Sequence, residues 1–146
     1  MKRIVVVCCA ALGLALFSSL AYAATVKDFK GSVDKGGSIA FSALRDHGKY
    51  TRAGYFELEH IPVKCDNGTT TRSHLSTSHI VNVTSRRFSY TFNFGPTDPA
   101  KAKVTGHFNR KGNKATGTFT LSGATYNSTH QNCGTRGARD WTAHKL

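Results

Sequence analysis

Several enzyme signatures are missing from this chain. It holds neither a G-x-S-x-G nucleophile motif nor a glycine-rich phosphate-binding loop. Seven histidines are present, yet none stands in an H-x-H or H-E-x-x-H spacing, so the usual metal motifs are absent. Acidic residues are scarce: 8 Asp and Glu face 20 Lys and Arg in 146 residues, a formal charge of +12 with histidines neutral. Proline occurs only as Pro62, Pro96 and Pro99, and no low-complexity linker divides the chain. The length suffices for one core and excludes a two-domain, cofactor-carrying enzyme. No cofactor is implied.

What is there begins with an export signal. Lys2 and Arg3 precede a mostly apolar stretch from Ile4 to Leu20, and Ala21-Tyr22-Ala23 offers a small-residue cleavage site before Ala24. This layout predicts a signal peptide over 1–23 and a single mature domain over 24–146. The apolar stretch, broken by Ser18 and Ser19, is shorter than the roughly 20 residues a spanning helix needs. The expected destination is secreted, whether extracellular, periplasmic or at the cell envelope. Lys2 and Arg3 leave with the signal, so 18 of the 20 basic residues remain against 8 acidic ones. Cys8 and Cys9 leave too, and the surviving pair, Cys65 and Cys133, is expected to form a disulfide in an oxidising compartment.

Past the signal, no window sustains apolar residues at helical spacing, whereas alternation of period two recurs. Phe88, Tyr90, Phe92 and Phe94 alternate with Ser89, Thr91 and Asn93, which predicts a strand with four aromatics on its core face. Val104, Gly106 and Phe108, then Ala115, Gly117, Phe119 and Leu121, read as a hairpin across Arg110-Lys111-Gly112-Asn113. Asp66-Asn67-Gly68 marks a second turn, at the end of a strand running from Tyr55 to Cys65. In that strand the apolar phase changes around His60, which predicts a bulge, and Pro62 predicts an edge or irregular position. The fold expected is all-β: an antiparallel sandwich or flattened barrel of about seven to nine strands with one disulfide.

The segments Phe29-Lys30-Gly31, Gly37-Ser38-Ile39-Ala40-Phe41, Val63-Lys64-Cys65-Asp66-Asn67-Gly68, Val104-Thr105-Gly106-His107-Phe108, Ala115-Thr116-Gly117-Thr118-Phe119, Cys133 and Trp141-Thr142-Ala143 follow in this order. This arrangement resembles a group of small exported bacterial β-domains, abundant in actinobacteria, with one disulfide and no assigned activity. The resemblance implies the fold and the bridge and carries no catalytic residue with it. The polar stretch Ser73 to His79 and the loop Asn127 to Asn132 depart from its pattern.

Candidate chemistry divides into three readings. The basic excess attracts anionic polymers, and its densest clusters are Arg110, Lys111 and Lys114 at the hairpin tip, then Arg86 and Arg87. These point to a non-catalytic module for an anionic polysaccharide, cell-wall polymer or nucleic acid. Against it stands the plain reading that charge only keeps the protein soluble. A hydrolase acting on glycan or nucleic acid is the second reading, through the paired carboxylates Glu57 and Glu59, or through His60 or His107 with Glu59 and a phosphate-holding Arg86 or Arg87. His74, His79, His107 and His144 are weighed as a converging set without a metal motif. A structural envelope protein with no discrete ligand is the third. Tyr50, Tyr55, Tyr126 and Trp141 are candidates for a sugar-stacking face, although Trp141 is expected in the core near the disulfide. Asn67, Asn82 and Asn127 each begin an N-x-[ST] sequon.

Overall fold

A computed structural model describes residues 23–146. The expected signal segment, Cys8 and Cys9 included, lies outside the described residues apart from Ala23. Every regular element among them is a strand: β1 (Thr25–Val33), β2 (Ser38–Asp46), β3 (Lys49–Lys64), β4 (Thr70–Ser76), β5 (Ile80–Asn82), β6 (Arg87–Phe92), β7 (Lys101–Phe108), β8 (Lys114–Ser122) and β9 (Arg139–Lys145). All pair antiparallel, in the order β4-β3-β2-β1-β9-β8-β7-β6, with β5 beside β3. Because β1 pairs with both β2 and β9, the meander curls until its first and last strands meet. The result is a half-barrel, within the expected fold class.

The curl stops short of a closed ladder at one seam. β4 and β5 lie in line along β3, as one interrupted strand. β5 reaches β6 through a two-residue turn in which Thr84 and Arg87 exchange backbone hydrogen bonds of 2.9 Å. Both central residues, Ser85 (φ 50°) and Arg86 (φ 65°), adopt the left-handed region, the pattern of a type I′ hairpin turn. Further along the seam side chains take over: Thr77 Oγ1 lies 3.2 Å from Tyr90 Oη, and the His79 ring stacks on Tyr90 at 5.1 Å.

Small antiparallel barrels have interiors just wide enough for side chains to fill, and here aromatics fill it. Phe29, Phe41, Phe56, Phe88, Phe108 and Trp141 are buried; Phe29 stacks on Phe41 at 5.0 Å and Tyr50 on Phe108 at 4.2 Å. Such pairs add about 0.5–1.5 kcal/mol beyond area burial. Gly106 and Gly117 sit opposite each other on β7 and β8. A Cβ on Gly106 would come within 2.5 Å of the Phe88 ring and 2.6 Å of Trp141, so glycine there leaves room for the indole, whereas a Cβ on Gly117 would meet the Thr105 carbonyl oxygen at 1.8 Å.

The alternating β6 strand forms, but its four aromatics are not equivalent. Phe88 and Phe92 are buried, Tyr90 is half-buried, and Phe94 falls beyond the strand's end, also half-buried. The expected hairpin is β7–β8. β3 starts earlier than the sequence suggested, at Lys49 rather than Tyr55. The reason is a second bulge, with Tyr55 at φ 55°, which breaks the inward parity between Ala53 and Phe56. The bulge expected around His60 is present, with His60 at φ 56° and a register shift between Leu58 and Ile61. Pro62 pairs only toward β4, because β2 begins at Ser38 opposite Glu59 and does not reach Pro62 on the other side of β3.

The connection from β8 to β9, residues 123–138, folds across the end of the barrel where β3 finishes. Cys133 in this strap is bonded to Cys65, and isolated bridges join Lys64 to Gly134 and Ala124 to Cys133. Buried Thr135 accepts from the Leu121 amide (3.2 Å) and donates to the Gly137 carbonyl (2.6 Å). Asp66 accepts from Arg136 Nη2 (2.8 Å) and from the Asn132 side-chain amide. Two sequons serve this architecture as Asx turns. Asn67 Oδ1 accepts from the Thr69 amide and hydroxyl, and Asn127 Oδ1 accepts from the amides of Thr129 and His130.

Two outcomes follow from the strap. Closing a loop across a separation of 68 residues is worth roughly 4 kcal/mol on the chain-entropy model, so reduction should lower Tm markedly; an unchanged thermal melt would refute that contribution. Hydrogen bonds from Arg136 and then Asn132 hold the Asp66 carboxyl below its ordinary pKa. A depressed carboxylate stabilises the fold above its unfolded pKa and loses that stability as pH falls through the folded one. Asp66→Asn should therefore lower Tm near neutrality, with the gap to wild type closing in acid.

Candidate functional site

The end of the barrel opposite the strap is built from three connections: His47–Gly48 between β2 and β3, Val83–Arg86 between β5 and β6, and Asn109–Asn113 between β7 and β8. They are far apart in sequence, and closure of the meander brings them to one rim. Between them lies a recess of about 590 Å³, lined by Arg45, Lys49, Arg86 and Arg110 among others. Its floor is Tyr50 and Phe108, which stack on each other and are 8% and 0% exposed.

Two of these cations, Arg45 and Arg86, are positioned by backbone or ring contacts. Arg45 Nε donates to the Gly48 carbonyl (3.2 Å), and its guanidinium lies 5.9 Å from the centre of the Tyr50 ring. Arg86 Nη1 donates to the Phe108 carbonyl (3.4 Å). Tyr50 Oη donates to the Gly112 carbonyl (2.7 Å), fastening the β7–β8 turn to β3. Burial raises the Tyr50 pKa, and the Arg45 charge partly opposes the rise, so the phenol stays a neutral donor. Asp46 on the same rim lies 2.7 Å from His47 Nδ1. At the opposite end Asp34, Asp66, Asp98 and Asp140 accompany the basic residues of the turns. Charge is thus unevenly divided along the barrel.

The expected binding residues separate into two groups. Arg86 and Arg110 meet across the recess, and Lys111 stands exposed on the same turn as Arg110. Arg87 opens β6 and pairs in register with His107, so it lines a shallow groove on the outer wall instead. Lys114 opens β8 opposite His144. Sequence reading missed Arg45 and Lys49. They flank the Asp46-His47-Gly48 turn, and their separation along the chain disguised a cluster that exists only around the rim.

The catalytic candidates are only partly assembled. Glu57 and Glu59 do share the outer face of β3, with Leu58 buried between them. His74 of β4 joins them, and the three donor groups lie within 4.8 Å of one another. This trio could hold a cation, but Glu57 and His74 are exposed and Glu59 partly so. Glu59 faces His74 at 3.8 Å, whereas His107 contacts Thr116 on β8 at 3.3 Å. The chain therefore does not bring His107, Glu59 and the arginines into one acid–base site. Nor do the four histidines converge, since His79 stacks on Tyr90 at the seam and His144 pairs with Lys114. Comparisons with protein families, curated proteins and solved structures find no match for this chain. The sugar-stacking quartet is likewise dispersed. Trp141 is buried against Phe41 and Phe88, Tyr50 floors the recess, and Tyr55 and Tyr126 are exposed on separate elements.

Tyr50→Phe isolates one strut of the rim. Losing a hydrogen bond to a buried backbone acceptor costs about 1 kcal/mol, so Tm should fall slightly. Amide exchange of Gly112 and its neighbours should rise, and unaltered protection there would show that the turn does not rely on this phenol.

Proposed function

We propose that the protein is an exported, non-catalytic module that binds an anionic polymer of the envelope or extracellular space through this basic rim. The observation that carries the reading is the meeting of Arg86 and Arg110, from two separate sequence clusters, with Arg45 and Lys49 around one recess. Fixed cations around a concave surface focus potential and raise the local concentration of anions.

Two features refine the reading. The recess floor offers no exposed ring, since Tyr50 and Phe108 are packed face to face; contact is through charge and not through stacking on sugars or bases. Charge spacing along the polymer therefore decides affinity. Arg86, moreover, occupies a left-handed position of a turn that favours Asn-Gly. A non-glycine residue held there costs roughly 1 kcal/mol or more, a strain that a function for the guanidinium accounts for.

The test is retention on heparin, a cell-wall preparation and a neutral glycan matrix, eluted by salt. Selective retention on an acidic matrix, beyond that of basic control proteins, is expected. Arg86→Gly should keep or raise Tm while eluting earlier, and the pair Arg86→Gly with Arg110→Ser should reduce the slope of log affinity against log salt by about 1.5 to 2. Elution alongside the basic controls, or an unmoved slope, would overturn the reading.

A further inference from the structure

Three metal-ligating side chains come together on the outer wall where β3 meets β4. Glu57 and Glu59 lie two residues apart on β3, with buried Leu58 between them. His74 lies between buried Ser73 and half-buried Leu75 on β4, so strand alternation sends it to the same outer face. The bulge gathers them. Leu58 pairs with Leu75 and Ile61 with Ser73, so Glu59 and His60 together stand opposite the single residue His74. Bulges re-aim side chains in this way. His74 Nδ1 stands 3.8 Å from Glu59 Oε1, and one donor atom from each of the three residues lies within 4.8 Å of the other two.

The charge around this trio is uncompensated. Only 8 acidic residues face 20 basic ones in the chain, yet two of the eight stand side by side without a Lys or Arg partner. Among the described residues the ion pairs are His47–Asp46, His74–Glu59 and Arg136–Asp66. In register, Glu59 faces Ser38 and Glu57 faces Ala40 on β2, while Glu57 faces Ser76 on β4. These small, uncharged neighbours neither neutralise the carboxylates nor cover them. Lys30 stands one strand further, opposite Ala40, and Arg72 two residues before His74. Carboxylates sharing a site oppose each other's ionisation, and an added positive charge relieves that.

We propose that Glu57, Glu59 and His74 form a binding site for a first-row divalent metal ion, with zinc the best match. Imidazole suits zinc and glutamate oxygens ligate it too, whereas calcium takes roughly six to eight oxygen ligands. Donors held about 2.0–2.2 Å from one tetrahedral zinc stand roughly 3.4 Å apart, so small rotations of these solvent-facing side chains close the remaining distance. The distinguishing feature is an imidazole from a second strand converging on two uncompensated carboxylates. Water completes the coordination on the open side, which makes the ion exchangeable. Once bound, it clips β4 to β3 where the bulge interrupts their ladder. The site shares no residue with the basic rim and is independent of the polymer reading.

The experiment is calorimetric titration of chelator-treated protein with Zn²⁺. Binding of one Zn²⁺ per chain is expected, with Mn²⁺ weaker and Ca²⁺ silent, and Tm should rise with zinc because the ion binds the folded chain. Glu57→Gln, Glu59→Gln and His74→Gln should each weaken Zn²⁺ binding by about tenfold or more, since even the outer partners of metal ligands are worth about 10–100-fold. Tm without metal should stay close to wild type. His107→Gln, on β7, should leave the affinity unchanged. In NMR spectra of wild type the His74 ring should respond to Zn²⁺ before any other histidine, a readout that stands even where a variant folds poorly. Absence of one-to-one binding, affinity retained by Glu57→Gln and His74→Gln, or a first response from another histidine overturns the site. Heparin elution is read without metal, so failure of the polymer reading leaves this result untouched.

Discussion

Pairing of β1 with β9 is the constraint on which the rest of the molecule depends. It joins the beginning of the domain to its end, converts a flat meander into a curled sheet, and encloses a space that only a particular set of side chains fills. Phe29 and Phe41 come from the first hairpin, Phe88 and Phe108 from the later strands, and Trp141 from β9 itself. Where the indole needs room, Gly106 supplies it from β7. The same closure carries three distant turns to one rim. Without it Arg45, Arg86 and Arg110 would be ordinary surface cations on unrelated loops.

Much of this was legible in the sequence because strands announce themselves by parity. The β7–β8 hairpin, the turn after Cys65 and the phase change at His60 all leave local marks that need no partner strand to be recognised. The start of β3 did not, because the bulge at Tyr55 shifts the inward face by one residue and hides the continuity of Tyr50, Ala53 and Phe56. Phe94 followed the parity of its neighbours but lies past the last residue of β6, where nothing holds the alternation.

The candidate site was legible to a smaller extent, for a geometric reason. Charge clusters along the chain identified Arg86 and Arg110, yet Arg87 and Lys114 from the same clusters point elsewhere on the barrel. Adjacent residues on a strand face opposite ways, so a run of basic residues is divided by the very structure it belongs to. Conversely Arg45 and Lys49 join the rim from the two arms of a short turn. Two sequons illustrate a related ambiguity: at Asn67 and Asn127 the residue pattern is already explained by side chains that cap their own turns.

The uneven distribution of aspartates gives the molecule an electrical direction. Four of them lie at the strap end, while the rim end is dominated by arginine and lysine. Such a body behaves in solution as a compass needle near an anionic surface: torque acts beyond the range of any contact, within the screening distance of about 8–10 Å at moderate salt. It would arrive rim first, with the disulfide-bonded strap trailing. Orientation before touch raises the fraction of productive encounters, an effect on the rate of capture rather than on the strength of the complex.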